Sequence, residues 1–161
     1  MLPDAHRALP MDDLDRLMAI MDTAFDPHWG EAWNRRQVGD ALTTPATHYL
    51  LIDADSAPPS PGKDAIGFLL SRSSVEEEEL LLIGILPVHR GRGLGRKLVD
   101  RYLAAARNRG ARHIVLEMRE NNEARVLYEA AGFREVGRRP DYYRTANGER
   151  IDAITFRRDL Y

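Results

Sequence analysis

The 161-residue chain has no cysteine. That removes disulfides, thiolate metal sites and any cysteine nucleophile, and it makes a cytoplasmic compartment the default. No apolar run approaches the ~20 residues needed to cross a bilayer, so no membrane partner is expected. The first thirty residues carry Asp12, Asp13, Asp15 and Asp22 and no long apolar stretch, so they do not read as a signal peptide. The five histidines, His6, His28, His48, His89 and His113, are scattered without metal-ligand spacing, and no metal is expected. There is no internal repeat. Net charge is also nearly absent, 23 basic against 25 acidic side chains.

That balance conceals an asymmetry. Residues 1–89 carry 6 basic and 15 acidic side chains, whereas residues 90–161 carry 17 basic and 10 acidic. Within 90–112 eight basic residues face only Asp100. A local positive field in a near-neutral chain suits a defined anionic ligand better than general nucleic-acid affinity, the alternative being a solvated arginine-rich helix face. With 43% hydrophobic and 30% charged residues the composition is that of a folded globular protein, and the length suits one domain spanning 1–161.

Periodicity predicts helices over 11–24, 31–42, 94–108 and 122–131. The last is expected to carry an apolar face of Val126, Leu127 and Ala130. Strands are predicted at 48–52, 66–70, 80–86, 114–118, 133–137 and 151–156. The proline-rich segment 57–62 is read as a hairpin connection. The run Leu80–Leu86, closed by Pro87, suits a central strand buried on both faces. Gly84 within it marks a bulge, a close ligand approach or a packing glycine. Tyr142 and Tyr143 are placed in the connection before the last strand. Trp29 and Trp33 are read as packing on the second helix, with Trp29 able to border a substrate groove. The acidic run Glu76–Glu79 reads as a solvated strand end or as a surface that attracts a basic peptide. The order of elements implies an α/β sandwich around a mixed sheet.

The densest chemical signal is Arg90-Gly91-Arg92-Gly93-Leu94-Gly95-Arg96, between the apolar strand and the long helix. Its glycines expose backbone N–H groups, and the helix N-terminus adds partial positive charge. Arg90, Arg92 and Arg96 add formal charge. A nucleotide P-loop requires Gly-Lys followed by Ser or Thr, and a dinucleotide fingerprint requires glycine at 96. Both fail. What remains is a phosphate or pyrophosphate loop, or a glycine-rich turn with exposed arginines.

Arg90-x-x-Gly93-x-Gly95 after a strand ending at Pro87 resembles the acetyl-CoA pyrophosphate loop of the GNAT acetyltransferase superfamily. Asn121-x-x-Ala124-x-x-Leu127-Tyr128-x-x-x-Gly132-Phe133 is similar to that superfamily's second CoA-side helix, at the usual separation. Leu116-Glu117-Met118-Arg119, Arg138-Arg139-x-x-Tyr142-Tyr143, Gly148 and Asp152-Ala153-Ile154 narrow the resemblance to the ribosomal-protein-alanine N-acetyltransferases, the RimI type. Phe25 and His28-Trp29-Gly30-Glu31 are similar to a segment near the start of that group. Leu86 stands where that group has Asp and Arg90 where it has Gln, and the turn after Glu117 is one residue shorter.

The resemblance implies a GNAT-type mixed, mostly antiparallel sheet flanked by helices, with splayed central strands at an acetyl-CoA site. It implies acetyl transfer by direct attack in a ternary complex, onto a protein or peptide N-terminus and candidately onto the N-terminal alanine of a small-subunit ribosomal protein. A small-molecule amine or antibiotic acetyltransferase, and a non-catalytic acetyl-CoA sensor, stand as alternatives. An α-amino group near pKa 7.7–8.0 needs only a modest base, for which Glu117 is the candidate. Tyr128 is the candidate proton donor to the leaving sulfur. Cofactor contacts are expected from Ile83, Gly84 and Ile85, which also offer an oxyanion N–H, from residues 90–96 (Arg90, Gly91, Arg92, Gly93, Leu94, Gly95, Arg96), and from Asn121. Trp29, Tyr142 and Tyr143 are the candidate acceptor contacts. Direct nucleic-acid binding is not expected.

Overall fold

The structure, a computed structural model, describes the backbone from Asp4 to Tyr161 and side chains from Asp13 onward. Two helices lead, α1 (Asp4–Ala24) and α2 (Arg35–Leu42), followed by β1 (Thr47–Ile52), β2 (Gly67–Ser73) and β3 (Glu77–Ile85). Then come α3 (Leu94–Asn108), β4 (His113–Arg119), α4 (Arg125–Ala130), β5 (Arg134–Arg144) and β6 (Arg150–Asp159). The six strands form one sheet in the order β1-β2-β3-β4-β6-β5. Every pairing is antiparallel except β3 with β4. The mixed, mostly antiparallel sheet flanked by helices is the architecture expected.

Side-chain alternation divides the core between the two faces of the sheet. On β2, Phe68 and Leu70 pack with Leu17, Ile20 and Met21 of α1. Leu69 points the other way, into a larger cluster with Leu98, Val99 and Tyr102 of α3 and Ile114, Leu116 and Phe156 of the sheet. The three- and four-residue spacing of the α1 and α3 apolar positions turns one stripe of each helix onto the sheet. α2 is held by a capping box, in which Asn34 and Gln37 exchange side-chain-to-backbone hydrogen bonds of 2.8 Å.

β3 positions the site. Its parallel pairing with β4 covers only Glu77–Glu79 against His113–Val115. Just beyond, the β2–β3 register shifts so that Leu81 is the extra residue, between Leu80 opposite Ser71 and Leu82 opposite Leu70. A bulge bends its strand and increases local twist. β3 stays with β2 as far as Ile85 opposite Gly67, while β4 stays with β6 as far as Arg119 opposite Ala153. The sheet therefore opens between β3 and β4.

Several sequence expectations change here. The apolar run is not buried on both faces, because Leu81, Leu82, Ile83 and Ile85 are only half-buried where the sheet splits. The bulge falls at Leu81 and not at Gly84, which is a packing glycine. A Cβ there would lie 2.9 Å from the Phe68 ring and 3.2 Å from Ala24. Strand β5 continues past Gly137 through Tyr142 and Tyr143, so those tyrosines lie on a bulged strand and not in a connection.

The acidic run is solvated only in part: Glu76 is exposed, Glu77 and Glu79 are half-exposed, and the run ends where the β3–β4 pairing stops. Glu78 is fully buried and accepts from Arg109 at 2.7 and 2.8 Å and from the Tyr102 hydroxyl at 3.2 Å. Glu77 faces His113 at 2.8 Å, and Glu79 pairs with Arg72 at 2.9 Å.

Candidate functional site

After β3 the chain makes a 3-10 turn over Pro87–His89 and then enters the glycine loop. Gly91 and Gly93 take φ of +79° and +75°, where a side chain would be strained. No atom lies within 4 Å of a Cβ at either position, so the space above the loop is open. Gly93 caps α3 without any side-chain acceptor. From Gly91 through Arg96 no backbone N–H has an acceptor among the described residues, and the first α3 amide to bond is that of Lys97, to Gly93. This row of free donors at a helix N-terminus is an anion cradle built from peptide groups. Gly95 faces α4, where a Cβ would sit in ordinary contact with Leu127 at 3.4 Å.

The arginines of the loop mostly serve the protein's own carbonyls. Arg90 donates to the carbonyls of Ile85 (3.1 Å) and Ala24 (2.6 Å), tying the loop to the end of β3 and to α1. Arg96 donates to Asp100 (3.0 Å) and to the Ala130 carbonyl (2.7 Å), tying α3 to α4. Arg92 lies beside His89 and is not among the residues that line the cavity described next.

A cavity of about 1000 Å³ fills the opening between β3 and β4. Ile83, Gly84 and Ile85 form one wall. Glu117, Met118 and Arg119 form the other, and the glycine loop, Asn121 and Tyr128 close one side. Trp29 and Glu31, from the segment between α1 and α2, close the side opposite. Val126, expected on the apolar face of α4, is 75% exposed at the rim, and Tyr128 is the residue α4 buries.

Glu117 lies opposite Thr155 of β6, with its side chain turned into the cavity and ion-paired to Arg139 at 3.2 Å. The short turn after β4 is tightly held. Arg119 donates to the carbonyl and side chain of Asn121 (3.1 and 2.9 Å), and Glu120 donates its N–H to the Asp152 carbonyl (2.9 Å). Tyr128 packs edge-on against Phe133 at 5.8 Å. Its hydroxyl has no hydrogen-bond partner among the described residues and borders the cavity. Burial, with the Glu31 carboxylate adding to it, holds that phenol well above its ordinary pKa, so it stays a protonated donor.

Tyr142 and Tyr143 do not line the cavity itself. They stand beside it, edge-to-face at 5.2 Å, with the Arg139 guanidinium 5.1 Å from the Tyr142 ring. Tyr143 is pushed up to about 12, chiefly by burial and then by the carboxylates of Glu117 and Glu31. Their placement depends on Asp141, a non-glycine residue at φ +54°. Its N–H donates to Asp152 (2.9 Å), whose second oxygen accepts from Arg138 (2.8 Å).

Two site residues carried no role in the sequence reading. Glu31 is largely buried, and Arg119 faces it at 3.3 Å from beneath the Trp29 indole, 4.0 Å from the ring centre. Burial raises the pKa of Glu31 against the pull of Arg119. Trp29 belongs to the 3-10 turn Pro27–Trp29 and not to α2. Among the described residues no cluster of His, Asp or Glu could hold a metal, and no helix is long and apolar enough to cross a membrane.

The sequence profile of the acetyltransferase (GNAT) family matches residues 14–133. The chain is 38% identical over 160 residues to the N-alpha-acetyltransferase RimI of Mycobacterium tuberculosis, covering 94% of this chain and 90% of that protein. It is 38% identical over 89 residues to the ribosomal protein bS18-alanine N-acetyltransferase of Haemophilus influenzae, a match spanning 55% of this chain and 61% of that protein. The crystal structure of the ribosomal-protein-S18-alanine N-acetyltransferase from Escherichia coli superimposes with a TM-score of 0.76 at 26% identity, covering 92% of this chain and 88% of that one.

Proposed function

Because the chain belongs to the acetyltransferase (GNAT) family and is an N-acetyltransferase, we propose that its acceptor is the α-amino group of a protein N-terminus, candidately the N-terminal alanine of a small-subunit ribosomal protein. One observation carries the proposal. The split between β3 and β4 brings a row of free N–H donors, a carboxylate and a buried phenol to a single cavity. The likeness to the Mycobacterium tuberculosis enzyme over nearly the whole chain supports the choice of acceptor.

Acetyl-CoA, from which this family draws its acetyl group, supplies a thioester carbonyl for the amine to attack. The residues present fit it. The N–H groups of 91–96 match a pyrophosphate, and no Cβ obstructs the approach at Gly91 or Gly93. Asn121 and the Ile83–Ile85 edge of β3 border the path inward, and that edge offers backbone N–H groups to the carbonyl oxygen.

Glu117 accepts the amine proton, directly or through one water, as the N–C bond forms. The C–S bond breaks, and the departing sulfur takes the proton held on Tyr128. The proton gained by Glu117 and the one lost by Tyr128 balance through solvent. No cysteine is present to carry an acyl group, and direct transfer needs none. Trp29, Tyr142 and Tyr143 border the acceptor side.

The test is thiol release from acetyl-CoA with short peptides varied at residue one, beside free amino acids and polyamines. Turnover on alanine-first peptides is the expected result. Turnover on small amines alone would overturn the N-terminal acceptor and favour a small-molecule enzyme. Acetyl-CoA binding without turnover on any amine would favour a sensor.

A further inference from the structure

We propose that Glu31 is a second acceptor-binding carboxylate, which grips the incoming α-ammonium from the side of the cavity that Trp29 closes. The inference rests on the N-terminal acceptor reading above and names how that acceptor is held.

Glu31 lines the same cavity as Glu117 and Tyr128. Its side chain is 21% exposed, and Oε2 lies 3.3 Å from Arg119 Nε as an ion pair without a hydrogen bond. Oε1 has no partner among the described residues. Arg119 is not free to follow it. That guanidinium lies under Trp29, and its NH1 is committed to the carbonyl and side chain of Asn121. Glu117 is arranged in the same way, with Arg139 at 3.2 Å on Oε2.

The cavity thus has two carboxylates, each paired with one arginine through a single oxygen. Both act on the Tyr143 phenol, which places them about one space. Each has an oxygen that no protein group meets among the described residues. Arg119 balances the charge of Glu31 at Oε2, and Oε1 is left to accept from an incoming donor. A terminal –NH₃⁺ is a cation of the right size with three donors, enough to meet both carboxylates. The ammonium loses one proton to solvent to become the attacking amine, Glu117 takes a second as the N–C bond forms, and Glu31 keeps hold of the nitrogen through the third. Arg119 joins this grip to Asn121 on the cofactor side.

Binding separates this role from a structural one. The CoA-loaded protein is titrated by calorimetry with an alanine-first heptapeptide and with its desamino counterpart, in which an N-terminal propionyl group replaces alanine. The wild type should bind the amine peptide more tightly by about tenfold or more. Glu31→Gln should remove most of that advantage, leaving the desamino affinity and the CoA affinity unchanged. Glu31→Asp should retain part of it. An advantage undiminished in Glu31→Gln would overturn the inference and leave the N-terminal acceptor standing. A wild type that shows no preference for the amine peptide and acetylates only small amines would overturn both. Should Glu31→Gln fail to fold, Glu31→Asp carries the test, and an amine advantage there equal to that of the wild type would overturn the inference.

Discussion

The two halves of β3 use polar groups in opposite ways. In the first half, Glu77–Glu79 pairs with β4 as well as β2, and the buried Glu78 carboxylate is clasped by Arg109 and Tyr102 until nothing is left to satisfy. In the second half, Leu80–Ile85 keeps β2 and loses β4, and the groups around it are left open. These are the N–H row of 91–96, one oxygen of Glu31 and the hydroxyl of Tyr128. A buried charge with every valence met holds a fold together. Unmet donors and acceptors gathered around one cavity wait for a ligand. One residue, Leu81, separates the two regimes.

The largest effect should come from the open half. Glu117→Gln and Tyr128→Phe should each lower kcat by roughly 10²–10⁴ without weakening acetyl-CoA binding or lowering Tm, as steady-state kinetics beside thermal melts would show. The closed half should respond in the reverse sense. Arg109→Met leaves Glu78 buried and unpaired, which costs about 3–5 kcal/mol and should lower Tm on the order of 10 °C, with kcat per folded molecule unchanged at 25 °C.

Two glycines sharpen the contrast within the open half. Gly84→Ala drives a Cβ toward Phe68 and should cost about 1–3 kcal/mol of stability with acetyl-CoA affinity intact. Gly93→Ala meets no neighbour but strains a left-handed residue by about 1–2 kcal/mol and intrudes on the cradle, so it should weaken acetyl-CoA binding about tenfold in a direct titration.

The smallest effect is a pH dependence carried by buried phenols. Tyr102 at the closed end and Tyr143 at the open end both have folded-state pKa values above the unfolded value near 10. The unfolded chain therefore releases these protons first, and stability is full below pH 10 and falls as pH rises. For Tyr143 the loss is expected between about 10 and 12. Denaturant midpoints at pH 8, 10 and 11 should show the decline, and Tyr102→Phe and Tyr143→Phe should each flatten it.

Much of this was legible in the chain. The stripe on α3 and the glycines at 91 and 93 announce a helix and a left-handed loop before it, because 3.6-residue spacing and positive φ leave marks on residue choice. The parts that were not legible leave no such mark. Asp141 adopts φ +54° without being glycine, held by Asp152 eleven residues away, so nothing local signals the bulge that places Tyr142 and Tyr143. Glu31 is one carboxylate in an irregular segment, and its partner Arg119 is far off in sequence. Val126 and Leu81 mislead for a shared reason. Apolar residues normally imply core, but here they line a cavity left for a ligand. Charge marks the arginines of the loop as phosphate contacts, and it does not reveal that Arg90 and Arg96, which line the cavity, also brace the loop through carbonyls that only the folded chain brings near.

The cradle over 91–96 is made of peptide N–H groups, and peptide N–H groups do not titrate. If that cradle holds the acyl donor, as proposed above, the protein's side of the contact has no titrating group in it. The acceptor side is built from carboxylates that meet an amine titrating near neutrality. On that reading the acidity dependence of turnover enters on the acceptor side, through the amine and through the carboxylates that receive it, among them Glu31 with its pKa raised by burial.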